Sequence, residues 1–314
     1  MSKISVIGAG AVGAATAFTL SQESWVNEVA LIDINEKKAT GEALDIMHGM
    51  PLNQPIQVTS GDYSQSANSD VVVITVGVPE VVGESRLVPL QKNTQILESI
   101  VPQILKYSPN TTLLVVSNPV DLLTYITYQV SGLSHQRVIG LGTMLDTSRL
   151  RYLLSRDLKV SAENINTFVV GEHGDSQVVL WSKTTIAGLS VQEYADLTGI
   201  KLDDNYFTKL EDEVRQTAFD VWEMKGPNAF CVATAISRVA KAIIRDESVI
   251  LPVSSMTLTD NNEEIFISLP NLVNREGSHN ALSMPMSSEE ETKLNKSKTM
   301  LKELSNQIQF GGSN

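Results

Sequence analysis

Short apolar runs alternate with longer stretches of helical periodicity through the first half of the chain. The runs are β-branched and almost continuously apolar, as strands buried on both faces of a parallel sheet require. They read "KISVIG" at the start, then "EVALIDIN" (28–35), "IQVTSG" (56–61), "DVVVITVG" (70–77), "TTLLVVSNP" (111–119) and "RVIGLG" (137–142). Helical stretches separate most of them, notably "AVGAATAFTLSQ" after the first run and the segments 87–107 and 120–131. Six strands by residue 142 suffice for a doubly wound α/β sheet, whose ligands bind beyond the carboxyl ends of the strands. Later the pattern changes. "SVILPVSSMTLT" and "EEIFISLP" predict antiparallel strands of a second, α+β domain, and "SSEEETKLNKSKTMLKELSNQIQ" predicts an amphipathic surface helix. The expected division is a doubly wound domain over 1–142 and an α+β domain over 143–314.

The turn after the first run narrows this reading. It carries Gly8, Gly10 and Gly13 in a G-x-G-x-x-G frame between a strand and a small-residue helix, and the next strand ends at Asp33. That is the dinucleotide-binding arrangement of a Rossmann sheet. The glycines permit a tight turn, close approach to a pyrophosphate and close helix–strand packing, and the helix N-terminus offers unpaired N–H groups to the phosphates. Asp33 would accept from the ribose hydroxyls and repel a 2′-phosphate, so NAD is expected rather than NADP. A turn or capping aspartate is the plainer alternative.

"VITVGVPEVVGESRLVPL" (73–90) begins as a buried strand and becomes a charged loop with Glu80, Glu84 and Arg86. The loop starts at a strand's carboxyl end, so it is expected over the ligand crevice as a lid, with Gly77 and Gly83 able to flex; a plain surface loop is the alternative.

Composition removes several function classes. A formal net charge of −12 argues against non-specific nucleic-acid binding, which needs Lys and Arg. The single cysteine, Cys231, can form neither an internal disulfide nor a thiolate zinc site, and a small buried helix residue is expected there. No metal site is expected, and nothing demands an oxidising compartment, so a cytoplasmic protein is expected. Residues 4–20 are uncharged, but the glycine frame explains them better than a signal peptide or a membrane span does.

Three stretches carry candidate chemistry. In "GTMLDTSRLRYLLSRDL", Thr143 is a candidate N-cap, and Asp146 and Arg149 share one helical face. In "NTFVVGEHGDSQVVLWS", His173 stands between two glycines at a strand end. In "SNPVD", Asn118 ends a buried strand before a proline, where a cis bond is possible. Taken singly, a capping acid with a surface ion pair and a structural histidine are the plainer readings.

Taken together, "GAGAVG", "GESRL", "SNPVD", "LDTSR" and "GEHGDS" have the order and spacing of the lactate/malate dehydrogenase family, over the whole chain. "GEHGD" followed by "WS" resembles the branch acting on L-lactate and other L-2-hydroxy acids. Malate dehydrogenases usually have Gly-Gly-His-Gly there. The resemblance implies reversible hydride transfer between NADH and a small 2-oxo acid. It implies His173 as general acid/base, Asp146 orienting it, Arg149 gripping the substrate carboxylate and Arg86 stabilising charge on the carbonyl oxygen. Asn118 would bond the substrate oxygen near the nicotinamide. Val12, Lys38, Tyr63, Gly77 and Val78 would line the NAD site with the residues above. A homotetramer is implied as well.

Two substrate-side positions depart from the family. Lactate dehydrogenases typically have glutamine where this chain has Glu80, and threonine where it has Asn228. An ionised Glu80 would repel the second carboxylate of oxaloacetate, so monocarboxylic substrates are expected, with pyruvate the first candidate; a Glu80 solvated on the loop and contributing little is the plainer alternative. Pro79, Val81 and Val82 would suit longer 2-oxo acids at the pocket mouth. Many bacterial relatives bind fructose 1,6-bisphosphate with an arginine and a histidine. Here Arg151 is present and Asn166 replaces the histidine, so weak or no activation is expected. His48 is expected to be structural, His135 and His279 solvated. A dinucleotide-binding protein without catalysis is the alternative from another class. A short-chain dehydrogenase is excluded because no tyrosine has lysine four residues on.

Overall fold

A computed structural model of the chain describes residues 2–78 and 87–311. Glu80, Arg86 and the remainder of the expected lid, with Pro79, Val81, Val82 and Gly83, lie outside the described residues.

The six predicted strands form: β1 (Lys3–Ile7), β2 (Glu28–Ile32), β3 (Gln57–Ser60), β4 (Val71–Ile74), β5 (Thr112–Val115) and β6 (Val138–Gly140). The helices between them are α1 (Ala11–Ser21), α2 (Glu36–Gly49), α3 (Leu87–Tyr107) and α4 (Val120–Ser131). The strands pair in parallel in the order β3-β2-β1-β4-β5-β6. Winding reverses between β1 and β4, which places the ligand crevice of such a sheet at the ends of those two strands. Both faces are covered, as the apolar runs require. Val71 and Val73 pack with α1 and α2, while Val72 and Ile74 pack with α3 and α4. That alternation is the period-2 geometry of a strand applied to a run with no polar side.

After β6 come α5 (Met144–Leu158), the short strands β7 (Ile165–Asn166), β8 (Val169–Val170), β9 (Val178–Val179), β10 (Thr185–Ile186) and β11 (Leu189–Ser190), then α6 (Val191–Thr198), α7 (Tyr206–Lys225) and α8 (Ala229–Ile244). A long hairpin of β12 (Val249–Leu258) and β13 (Glu264–Asn274), the strand β14 (Gly277–Ala281) and α9 (Ser288–Ser305) complete the chain. A separate apolar cluster joins α5, α6 and α7 through residues such as Leu150, Leu154, Leu210 and Val214. The C-terminal helix opens with a reciprocal cap between Ser287 and Glu290, as its Ser- and Glu-rich start predicted.

The antiparallel strands do not make a sheet of their own. β12 pairs with β6 at Ser254 and Gly140, so one nine-stranded sheet runs β14-β13-β12-β6-β5-β4-β1-β2-β3. Gly140 explains the junction. A Cβ there would lie 2.4 Å from the Thr124 hydroxyl and 2.8 Å from Ser254 Cβ, so any side chain would push β12 away.

Four local expectations change. Thr143 stands at the start of α5, but its hydroxyl bonds the Val169 and Pro252 carbonyl oxygens, at 2.6 and 3.3 Å, instead of capping the helix. It is fully buried, where carbonyl groups cut off from water compete for its proton. Cys231 is exposed, because Ala229, Ala233, Ile236 and Ala240 take the inward face of α8. His48 is exposed in the last turn of α2 and holds nothing together, while His279 is half-buried and bonds Asn274.

At the first turn, a Cβ on Gly13 would lie 1.7 Å from the Gly8 carbonyl oxygen. Backbone cannot yield as a side-chain tip can. Gly13→Ala is therefore expected to cost at least about 3 kcal/mol of stability and to weaken NADH binding, checked by denaturant melts and fluorescence titration.

Candidate active site

The crevice side is assembled by the carboxyl ends of β1, β2 and β4. The Gly8 N–H donates to the Ile32 carbonyl oxygen at 2.7 Å, and the Thr75 hydroxyl donates to the Ile7 carbonyl oxygen at 2.9 Å, fixing the glycine turn to both neighbouring strands. The N-terminus of α1 has no side-chain cap and no acidic residue in its first turn, and space opens beside Gly10. An open, uncapped helix N-terminus of this kind offers its unpaired N–H groups to a phosphate. Asp33 accepts the Ala9 N–H at 2.6 Å and the Asn35 N–H at 2.8 Å. The aspartate therefore shapes the turn, and each carboxylate oxygen keeps a further acceptor site for a ribose hydroxyl. Tyr63 is drawn into the same corner, where burial and then the Asp33 charge push its phenol pKa up. Val12 is half-buried against the core and Lys38 is exposed on α2. These residues suit the dinucleotide the sequence pointed to.

Past β4, Val78 is clasped by a residue the sequence reading missed. The Val78 N–H donates to Asn93 Oδ1 at 2.7 Å, and Asn93 Nδ2 donates to the Val78 carbonyl oxygen at 3.1 Å. Asn93 is 1% exposed. Its only sequence signal is an amide at a position of α3 that helical phase turns toward the sheet. Gly77 sits against the same amide and against Ser117. Asn118 is exposed at the end of β5, joined to Pro119 by a cis bond. Among the described residues its side chain has no hydrogen-bond partner, so it is available to a ligand.

The second side is built by α5 and the loop between β8 and β9. Asp146 and Arg149, three residues apart, project from one face of the first turns of α5. Asp146 Oδ2 lies 2.6 Å from His173 Nδ1, and Arg149 Nη1 donates to Asp146 Oδ1 at 3.0 Å. The side chains are 4% exposed for Asp146, 13% for Arg149 and 21% for His173, so this is an interior cluster and the surface ion pair of the plainer reading is set aside.

Burial opposes charge on both members of the central pair, but their proximity outweighs it. Desolvation alone would lower the His173 pKa; the charge and hydrogen bond of Asp146 reverse the shift to upward, with Asp121 helping and Arg149 opposing. Burial would raise the Asp146 pKa, and His173 followed by Arg149 holds it below the usual carboxylate range. With Nδ1 engaged, Nε2 has no partner among the described residues, and Arg149 keeps Nε and Nη2 uncommitted. An imidazole poised to exchange a proton thus stands beside half of a guanidinium fork.

Arg149 also lines a cavity of about 350 Å³ with Leu145, Thr217, Val221, Asn228 and Phe230. Asn228 is fixed there by donating to the Ala218 carbonyl oxygen at 3.0 Å, which ties the start of α8 back to the second half of α7. The predicted site residues within the described segments therefore gather into two neighbouring groups, one on the dinucleotide crevice and one around His173. Arg151 is half-buried on α5 and Asn166 is exposed on β7. No group of side chains suited to a metal ion occurs among the described residues, and no described helix is long and apolar enough to cross a membrane.

Comparison with known proteins agrees with this arrangement. The NAD binding domain model of the lactate/malate dehydrogenase family matches residues 2–140, and the family's alpha/beta C-terminal domain model matches residues 143–310. An L-lactate dehydrogenase of Clostridium perfringens is 45% identical over 301 residues, covering 96% of this chain and 95% of that relative. L-lactate dehydrogenase 1 of Clostridium acetobutylicum is 45% identical over 302 residues, covering 96% of each. The crystal structure of a minor L-lactate dehydrogenase from Enterococcus mundtii superposes with a TM-score of 0.93 at 33% identity, covering 99% of both chains. With both halves matched and the dinucleotide crevice and the His173 cluster in place, the chain belongs to the lactate/malate dehydrogenase family.

Proposed function

We propose that this chain is an NAD-dependent L-lactate dehydrogenase, which reduces pyruvate to L-lactate and runs the reaction in reverse. The observation that carries the reading is the buried line from Arg149 through Asp146 to His173. His173 Nε2 gives a proton to the substrate carbonyl oxygen during reduction and takes it back during oxidation. Asp146 fixes the ring's orientation and stabilises the imidazolium. Arg149 grips the substrate carboxylate with the donors it does not use on Asp146, a planar geometry lysine lacks. Asn118 bonds the substrate oxygen beside the nicotinamide. Bound NADH supplies the hydride. Gly8, Gly10, Gly13, Asp33, Tyr63, Gly77 and Val78 hold the cofactor, with Val12 and Lys38 at its edge. Arg86 stabilises negative charge developing on the carbonyl oxygen.

The division into a cofactor-binding unit over 1–142 and a catalytic unit over 143–314 belongs to this reading. So do a homotetrameric assembly, a cytoplasmic location and a place in fermentative carbohydrate metabolism. The names of the Clostridium and Enterococcus relatives support pyruvate and lactate as the reacting pair. The cavity beside Arg149 favours a second reading, in which longer monocarboxylic 2-oxo acids such as 2-oxoisocaproate are also reduced.

Loss of NADH absorbance on adding pyruvate, 2-oxoisocaproate, phenylpyruvate or oxaloacetate tests both readings. Pyruvate is expected to give the highest kcat/KM. Oxaloacetate is expected to trail by at least about tenfold, from the cost of bringing a second carboxylate near Glu80. Oxaloacetate in first place would reject the charge argument and the proposed substrate together.

A further inference from the structure

A second carboxylate, with no part in the chemistry above, stands beneath the imidazole. Asp121 ends the "SNPVD" run in the first turn of α4 and is 2% exposed. Its Oδ2 accepts the backbone N–H of His173 at 2.8 Å. Its Oδ1 faces the Ser268 hydroxyl of β13 at 3.4 Å. The Ser254 hydroxyl on β12 is buried without a well-aligned partner and stands close enough to favour the charged form of Asp121. Ser268 also accepts the Thr143 N–H at 3.2 Å. Thr143 opens α5, which carries Asp146 and Arg149. One carboxylate thus connects the Asn118 end of the sheet, the His173 loop and, through Ser268, the helix that orients the imidazole.

We propose that Asp121 is a positioning residue, which anchors the His173 backbone to the start of α4 so that the imidazole meets Asp146 and the Asn118 corner in one fixed geometry. The inference rests on His173 acting as the proton donor, as proposed above. Packing alone gives no reason for a charge here. An asparagine would satisfy the same N–H, and a buried carboxylate is costly unless its charge is used. Burial pushes the Asp121 pKa up to about 6, opposed by Ser254, the His173 N–H and the His173 charge; Glu172 adds to the rise. Of the groups facing His173 itself, Asp146 and Asp121 favour the imidazolium and Arg149 opposes it. An ionised Asp121 therefore both holds the ring in place and helps keep it protonated.

Two substitutions separate these effects. Asp121→Asn keeps an oxygen for the His173 N–H and removes the charge. Asp121→Ala removes both. The readouts are kcat and KM for pyruvate with NADH, and titration of the His173 ring by NMR, which needs no turnover. Asp121→Ala is expected to lower kcat by about 10- to 100-fold with little change in KM, because a displaced proton donor is felt mainly in the transition state. Asp121→Asn is expected to restore most of kcat, to move the His173 titration to lower pH, and to move the alkaline limb of the reduction rate with it. Should Asp121→Ala fail to fold, the Asp121→Asn titration decides, supported by Ser268→Ala, which loosens the tie while leaving the carboxylate and its bond to the His173 N–H in place and is expected to lower kcat a few-fold. Wild-type kcat in Asp121→Ala, equal losses in both variants, or an unmoved His173 titration in folded Asp121→Asn would overturn the proposal. No pyruvate turnover by the unaltered protein would overturn the functional reading instead, and the titration would still decide the role of Asp121.

Discussion

His173→Ala is expected to lower kcat for pyruvate reduction by about 10²- to 10⁴-fold, the range a positioned general acid contributes. NADH affinity should hold, because the Gly8–Gly13 turn and Asp33 stand on the other side of the site and make no bond to His173. Stability should change in a definite direction with pH. The folded-state pKa of His173 is raised, so its ion pair with Asp146 stabilises the protein most at low pH, below the unfolded value. That contribution is lost as pH rises through the folded value, so the variant should match the parent best in alkaline solution. The reduction rate of the parent follows the same group: it should fall as pH rises through the raised pKa, and the variant should lack that limb. Steady-state kinetics, NADH fluorescence titration and melts at two pH values check these outcomes. Turnover that survives the substitution would remove His173 from the mechanism.

Arg149→Lys is expected to lower kcat/KM for pyruvate by about 10- to 10²-fold, most of it in KM, because a charge-assisted hydrogen bond contributes about 1.5–3 kcal/mol and lysine replaces a fork with a point charge. The effect has two parts. The substrate carboxylate loses parallel donors, and Asp146 Oδ1 loses the guanidinium that holds it at 3.0 Å. The second part weakens the orientation of His173 as well, so kcat falls too. Binding of oxamate, a non-reacting analogue of pyruvate, isolates the first part, since it reports the carboxylate grip without proton transfer. Unchanged oxamate affinity in Arg149→Lys would place the substrate carboxylate elsewhere.

Much of the fold is legible in the chain because the parallel strands are apolar on both faces. The runs around Val29, Val72 and Leu114 have no competing interpretation, and α3 and α4 fall where helical period places them. Where β12 belongs was not legible. Nothing in "SVILPVSSMTLT" says which edge it joins; the junction depends on the missing side chain of Gly140, whose place is taken by Thr124 and Ser254. The site divides similarly. His173, Asp146, Arg149 and Asn118 stand in motifs whose spacing marks them. Asn93 and Asp121 act through backbone groups of residues distant in sequence, and no periodicity encodes such a partner. Thr143 misled for a related reason: a hydroxyl before a helix suggests a cap only while no buried carbonyl lies within reach.

The strand junction at Gly140 bears on how the molecule can move. Because β12 pairs with β6 at Ser254 and Gly140, described residues on either side of position 142 share one continuous slab, and any displacement of the long hairpin would have to break that backbone pairing.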